Sequence, residues 1–116
     1  METTLYGITN CDTVKRARIW LNSMGIVYQL HDYKKLGCPE DQARQFLDHF
    51  GMEVLLNRRG TTWRKLSEEK KSDLTEEAAI LLMSDHPSLI KRPILRRESE
   101  WLIGFDKPTW QQFFKS

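Results

Sequence analysis

Apolar positions along the chain switch between strand-like and helical spacing, and the switches lay out an order of elements. Thr3 to Ile8 is a short apolar run with strand character, and Asp12 to Met24 then places Val14, Ala17, Arg18 and Leu21 at helical intervals before Gly25 stops the helix. Ile26 to Tyr33 returns to a strand. A helix between two such strands predicts parallel pairing and a right-handed crossover. Pro39, followed by Glu40 and Asp41, opens a second helix that turns Ala43, Phe46, Leu47 and Phe50 inward and ends at Gly51. Thr75 caps a third over Glu76 to Met83, which His86-Pro87 ends or redirects. Between them Asn57 to Lys65 is turn-rich and basic. The last third is again strand-like, with Ile94 to Arg97 and Trp101 to Ile103 flanking a turn at Glu98-Ser99-Glu100, and Pro108 starts a final helix with Trp110, Phe113 and Phe114 facing in.

The order βαβ, then helices, then ββα predicts an α/β chain of thioredoxin-like arrangement with a helical insertion at about residues 38–90. The 116 residues, 40% of them hydrophobic, suffice for a single domain built on one core. A net charge of +2 on a chain that is 29% charged leaves no bulk field for nucleic acid or a membrane surface, so function must come from a local site. No apolar run approaches the roughly 20 residues that span a bilayer, and the N-terminus lacks the basic and apolar regions of a secretion signal, which points to the cytoplasm. His31, His49 and His86 show no metal-ligand spacing, so no metal is expected. Trp20, Trp63, Trp101 and Trp110 read as core or core-edge residues, because no basic and aromatic interleaving accompanies them.

The chemistry-bearing residue is Cys11. It follows the first strand and opens the first helix, where unpaired N–H groups and the positive end of the helix dipole favour a thiolate. A free cysteine is more often a small buried apolar residue, yet Asn10, Asp12 and Thr13 crowd this one with polar groups. Only Cys38 accompanies it. Val14 stands where a Cys-x-x-Cys pair would place its second thiol, and two cysteines make no disulfide framework. Cys38, beside Pro39, is expected to be dispensable. In a thioredoxin-like topology Lys91-Arg92-Pro93 enters the last hairpin opposite the first helix, so Arg92 approaches Cys11 and is able to grip an anion bidentately, while Pro93 is the natural site of a cis peptide. The same residues read equally as an exposed basic turn. Arg58 and Arg59 read either as an anion clamp or as a surface loop.

Taken together, Tyr6-Gly7-Ile8-Thr9-Asn10-Cys11-Asp12-Thr13-Val14-Lys15-Arg16-Ala17, Asp32-Tyr33-Lys34-Lys35, Leu56 to Leu66, Pro87 to Ile94 and the closing Ile103-Gly104-Phe105 resemble the ArsC/Spx family over essentially the whole chain, and within it the YffB-type proteins. The resemblance implies a thioredoxin fold with a helical insertion, a catalytic Cys11, a substrate-facing Arg92 and a cis-proline at Pro93. It also implies glutathione as co-substrate, with no bound cofactor, and glutathione or glutaredoxin resolving a mixed disulfide or arsenic adduct on Cys11. Asn10, Lys15, Arg58, Arg59 and Pro93 are then the candidate substrate- or glutathione-binding residues.

Departures from the family pattern order the readings. Arsenate reductases of the family use three arginines, whereas this chain has Asn57 after Leu55-Leu56 and reads Gly104-Phe105-Asp106 where the last arginine falls. Val14 replaces the serine common three residues after the cysteine. The leading expectation is therefore a cytoplasmic glutathione-dependent thiol reductase, with arsenate reduction second. A Spx-like regulator that binds RNA polymerase without catalysis comes third, since Val14 removes the Cys-x-x-Cys switch that many such regulators carry.

Overall fold

The computed structural model describes residues 2–72 and 74–115. Its elements run β1 (Thr3–Gly7), α1 (Asp12–Ser23), β2 (Gln29–Asp32), α2 (Tyr33–Leu36), α3 (Glu40–Phe50), α4 (Met52–Leu55), α5 (Thr61–Lys65), α6 (Glu68–Lys71), α7 (Glu76–Asp85), a 3-10 turn at Pro87–Leu89, β3 (Ile94–Arg97), β4 (Glu100–Ile103) and α8 (Lys107–Lys115). The chain divides into two compact units, one reaching to His31 and resuming at Arg92, the other Asp32–Lys91.

In the first unit a four-stranded sheet has the order β2-β1-β3-β4. β1 and β3 are antiparallel with Leu5 opposite Leu95, and β3 and β4 are antiparallel with Leu95 opposite Leu102. These residues share one sheet face by the two-residue alternation of strands. They pack with Val14, Ala17, Trp20 and Leu21 of α1 and with Trp110 of α8. α1 has this face because Val14, Ala17 and Leu21 recur at helical spacing. α8 is locked on by Trp110, whose Nε1 donates to the Gly104 carbonyl at 3.1 Å and whose ring meets Trp20 and Phe105 edge-on at 6.0 and 4.9 Å. Asp106 caps α8, accepting from the Thr109 backbone N–H and hydroxyl. Arg97 reaches the other end of the helix, donating to the Phe113 carbonyl and lying 4.5 Å over the Phe113 ring.

The second unit is the helical part. Phe46 and Leu47 of α3 are buried in it with Ile80 and Met83 of α7, and Arg44 pairs with Glu77 at 2.8 Å on its surface. Leu56 bridges to Ile90, and the Asn57 and Lys91 N–H groups donate to the carbonyls of Leu89 and Leu55.

Several expected boundaries move. Ile26 to Tyr28 lie outside β2, and Tyr33 belongs to α2 because the Asp32 side chain accepts from the Lys34 N–H at 2.9 Å and caps a helical turn there. Ile8 falls beyond β1 and Met24 beyond α1. Glu100 is the first residue of β4 and not part of the turn, which Glu98 and Ser99 make with Glu98 at φ 58°. Phe50, expected inward, is half-buried. The basic segment contains a helix, α5, and α7 continues to Asp85. Trp20 and Trp110 are core residues, while Trp63 and Trp101 are half-buried.

Candidate active site

The connection from β1 into α1 is tight because Gly7 leaves room for a neighbour. A Cβ at Gly7 would lie 2.8 Å from Val14 Cγ2, so the strand end passes directly against the first turn of α1. The Cys11 N–H donates to Ile8 O at 3.2 Å, which closes the turn. Cys11 is then the N-cap residue of α1, in extended backbone geometry, with φ −92° and ψ 128°. Its carbonyl accepts the first helical bond, from the Lys15 N–H at 2.9 Å.

The thiol is half-buried against the first unit's core. Burial, the largest single influence, pushes its pKa up, but the backbone N–H groups of Val14 and Thr13 and the hydrogen bond and charge of Arg92 oppose this and leave it lowered. The first helical amides thus favour a thiolate, as the position predicts. Arg92 and Cys11 meet within one unit. The Arg92-Pro93 peptide bond is cis, and Pro93 is buried. The Pro93 carbonyl accepts from the Gly104 N–H at 2.8 Å, and the Gly104 carbonyl in turn accepts from Trp110. Gly104 has φ 74°, a conformation that suits glycine. Sequence reasoning missed this support, although the glycine directly after the last strand is a signal for it.

The other candidate residues fall as follows. Asn10 is exposed in the turn before Cys11, and Lys15 is exposed one helical turn beyond it. Arg58 and Arg59 belong to the second unit. Arg58 pairs with Glu53 at 3.4 Å and lies 5.5 Å over the Trp63 ring, while the Arg59 backbone N–H donates to Asn57 Oδ1 and its carbonyl accepts from Arg64. His31 lies 5.3 Å from the Tyr6 ring, and among the described residues no group of three His, Cys, Asp or Glu forms a metal site. No helix among the described residues is long and apolar enough to cross a membrane.

Cys38 contrasts with Cys11. Its thiol is buried, and burial followed by the nearby Asp41 carboxylate pushes its pKa up to about 12. A thiol raised in the fold stays neutral there while the unfolded chain ionises, so stability falls as pH rises above the ~8.5 of a free thiol and continues to fall toward 12. Urea midpoints between pH 7.5 and 10.5 are therefore expected to decline more steeply in the unmodified protein than in Cys38→Ala; equal slopes would assign the decline elsewhere.

A profile of the ArsC family matches residues 6–113. A solved structure of a YffB protein superposes with a TM-score of 0.91 at 44% identity, covering 95% of this chain and 96% of the other. An uncharacterized protein of Haemophilus influenzae is 43% identical over 111 residues, 96% of this chain and 97% of its own length. The global transcriptional regulator Spx of Streptococcus mutans is 29% identical over 95% of this chain and 81% of its own. With a family match over nearly the full length and a close structural counterpart, the chain belongs to the ArsC family and has its thioredoxin-like fold.

Proposed function

We propose that the protein is a cytoplasmic, glutathione-dependent thiol reductase in which Cys11 is the nucleophile. One observation carries this reading: the Cys11 thiol is lowered at the head of α1 by the Val14 and Thr13 amides and by Arg92. The Cys11 thiolate attacks one sulfur of a substrate disulfide, and the other sulfur leaves with the bonding electron pair and takes a proton. A glutathione thiolate then attacks the Cys11 sulfur, releasing the substrate's second thiol and leaving glutathione on Cys11. A second glutathione attacks that glutathionyl sulfur, giving glutathione disulfide and the Cys11 thiolate. Two glutathiones thereby supply the two electrons that reduce the substrate. Arg92 favours the thiolate in the resting state and again as the leaving group. Pro93, next to Arg92, and Asn10 and Lys15, near Cys11 in the chain, are the candidates to contact the bound substrate.

Arsenate reduction ranks below thiol exchange. The place of a third family arginine is filled by Gly104, by Phe105 packed on Trp110, and by Asp106, an anion that caps α8. An oxyanion with about two negative charges loses about 1.5–3 kcal/mol for each missing charged hydrogen bond. The Spx relative favours a regulatory reading, in which the protein binds RNA polymerase and turns nothing over.

Incubating the reduced protein separately with oxidised glutathione, arsenate and a model disulfide, and following intact mass and turnover, tests the ranking. The expected result is a single glutathionyl adduct on Cys11 and disulfide turnover with glutathione that exceeds arsenate turnover. Arsenate turnover of equal rate would reverse the order, and the absence of any turnover would leave the regulatory reading.

A further inference from the structure

We propose that the exposed face of α1 is a docking surface for the protein disulfide that Cys11 reduces, and that this partner presents acidic residues around an apolar tip. The inference rests on the reading of Cys11 as the nucleophile and specifies its substrate class.

α1 carries Lys15, Arg16 and Arg18 against one carboxylate, the exposed Asp12 of its first turn, and no Asp or Glu follows until Asp32. The helix also leaves one large apolar side chain in solvent, Ile19, which is 68% exposed. Cys11 heads the row of helix neighbours that continues to Lys15 and Ile19, four residues apart each time, so a chain lying along the row reaches the sulfur within about 12 Å of Ile19. Beside the row runs a groove of about 260 Å3 lined by Lys15, Arg18, Ile19 and Asn22. Arg18 is held at its edge by donating from Nε to the Tyr28 hydroxyl at 3.1 Å.

An exposed isoleucine with arginine beside it suits a protein contact, and the excess of three cations over the one carboxylate of Asp12 selects an acidic partner. A second copy of the chain does not fit, because a two-fold contact would set Lys15, Arg16 and Arg18 against themselves. Nucleic acid would use the cations but gains nothing from Ile19.

The test uses the Cys38→Ala protein and two short peptides, each with one cysteine held as a mixed disulfide with thionitrobenzoate. Leucine and glutamate flank the cysteine in one peptide, leucine and lysine in the other. The Cys11 thiolate attacks the peptide sulfur, a Cys11–peptide disulfide forms, and coloured thionitrobenzoate leaves with the electron pair. Each rate is divided by that of 2-mercaptoethanol with the same peptide. The acidic peptide is expected to react about tenfold faster at low salt, the scale of electrostatic steering, with the preference shrinking at high salt. Ile19→Glu/Asn22→Glu is expected to abolish that preference while leaving the reaction with neutral bis(2-hydroxyethyl) disulfide unchanged. Equal normalised rates, a preference that survives in the double variant, or its loss on adding oligothymidylate at physiological salt would overturn the docking surface. Failure of Cys11 to react with the neutral disulfide would instead remove the nucleophile reading beneath it.

Discussion

Replacing Arg92 with alanine is expected to cut glutathione-coupled disulfide turnover by roughly ten- to a hundredfold, the equivalent of one charged hydrogen bond of about 1.5–3 kcal/mol. The reason is local. Burial alone would push the Cys11 thiol up, and the Val14 and Thr13 amides, with the hydrogen bond and charge of Arg92, hold it down. Removing the guanidinium leaves burial opposed by the amides only, so the inflection in alkylation rate against pH moves upward and the thiolate fraction at neutral pH falls. A cysteine with lowered pKa is neutral only below that inflection, so the loss is greatest around neutral pH and shrinks as the pH rises past the variant's own inflection. Measuring iodoacetamide rates from pH 5 to 10 in a Cys38→Ala background, with turnover alongside, checks both parts. An unmoved inflection would separate Arg92 from the sulfur, and an inflection at the ~8.5 of a free thiol in the unmodified protein would remove the nucleophile altogether. Lysine at position 92 restores charge but not the planar fork, so it is expected to recover the inflection better than turnover.

Trp110→Ala is expected to carry the largest stability loss, about 3–5 kcal/mol, out of the roughly 5–15 kcal/mol typical of a domain. The ring is 1% exposed and fills the space between Trp20 and Phe105. Its removal therefore forfeits transfer energy and leaves a cavity. It also frees the Gly104 carbonyl, whose residue donates to Pro93, so Cys11 reactivity is expected to fall under conditions where the variant is still folded. Trp110→Phe keeps most of the ring and loses only the Nε1–H bond, worth about 0.5–1.5 kcal/mol. Urea unfolding followed by circular dichroism separates the two, and a loss below 1 kcal/mol for Trp110→Ala would mean that α8 is not held by this residue.

Strong periodicity and punctuation made much of this legible. α1, α3 and α7 each carry a cap or stop residue and repeated apolar positions, and the thioredoxin-like order follows from their placement among the strands. α2, α4, α5 and α6 span only four or five residues each, too few for a helical period to register. They form through single contacts such as Asp32 with the Lys34 N–H and Ser67 with the Lys70 N–H. The expected length of β2 failed at Val27, whose apolar side chain has no layer over it.

At the candidate site the amino-acid sequence alone determined that Cys11 stands between a strand and a helix, because Gly7, Asp12 and the spacing of Val14, Ala17 and Leu21 are local signals. It also determined that no neighbouring thiol completes a Cys-x-x-Cys pair. Only the tertiary structure decided between Arg92 as a surface cation and Arg92 as the partner of Cys11. That choice depends on β1 and β3 pairing across most of the chain's length, with Tyr6 opposite Ile94, and such non-local pairing leaves no periodic trace around either residue. The same holds for the hydrogen bonds that run from Trp110 through Gly104 to Pro93. One joins a side-chain N–H and the other a backbone N–H to a carbonyl, and both partners are chosen by the packed sheet and α8, not by the residues beside them in sequence.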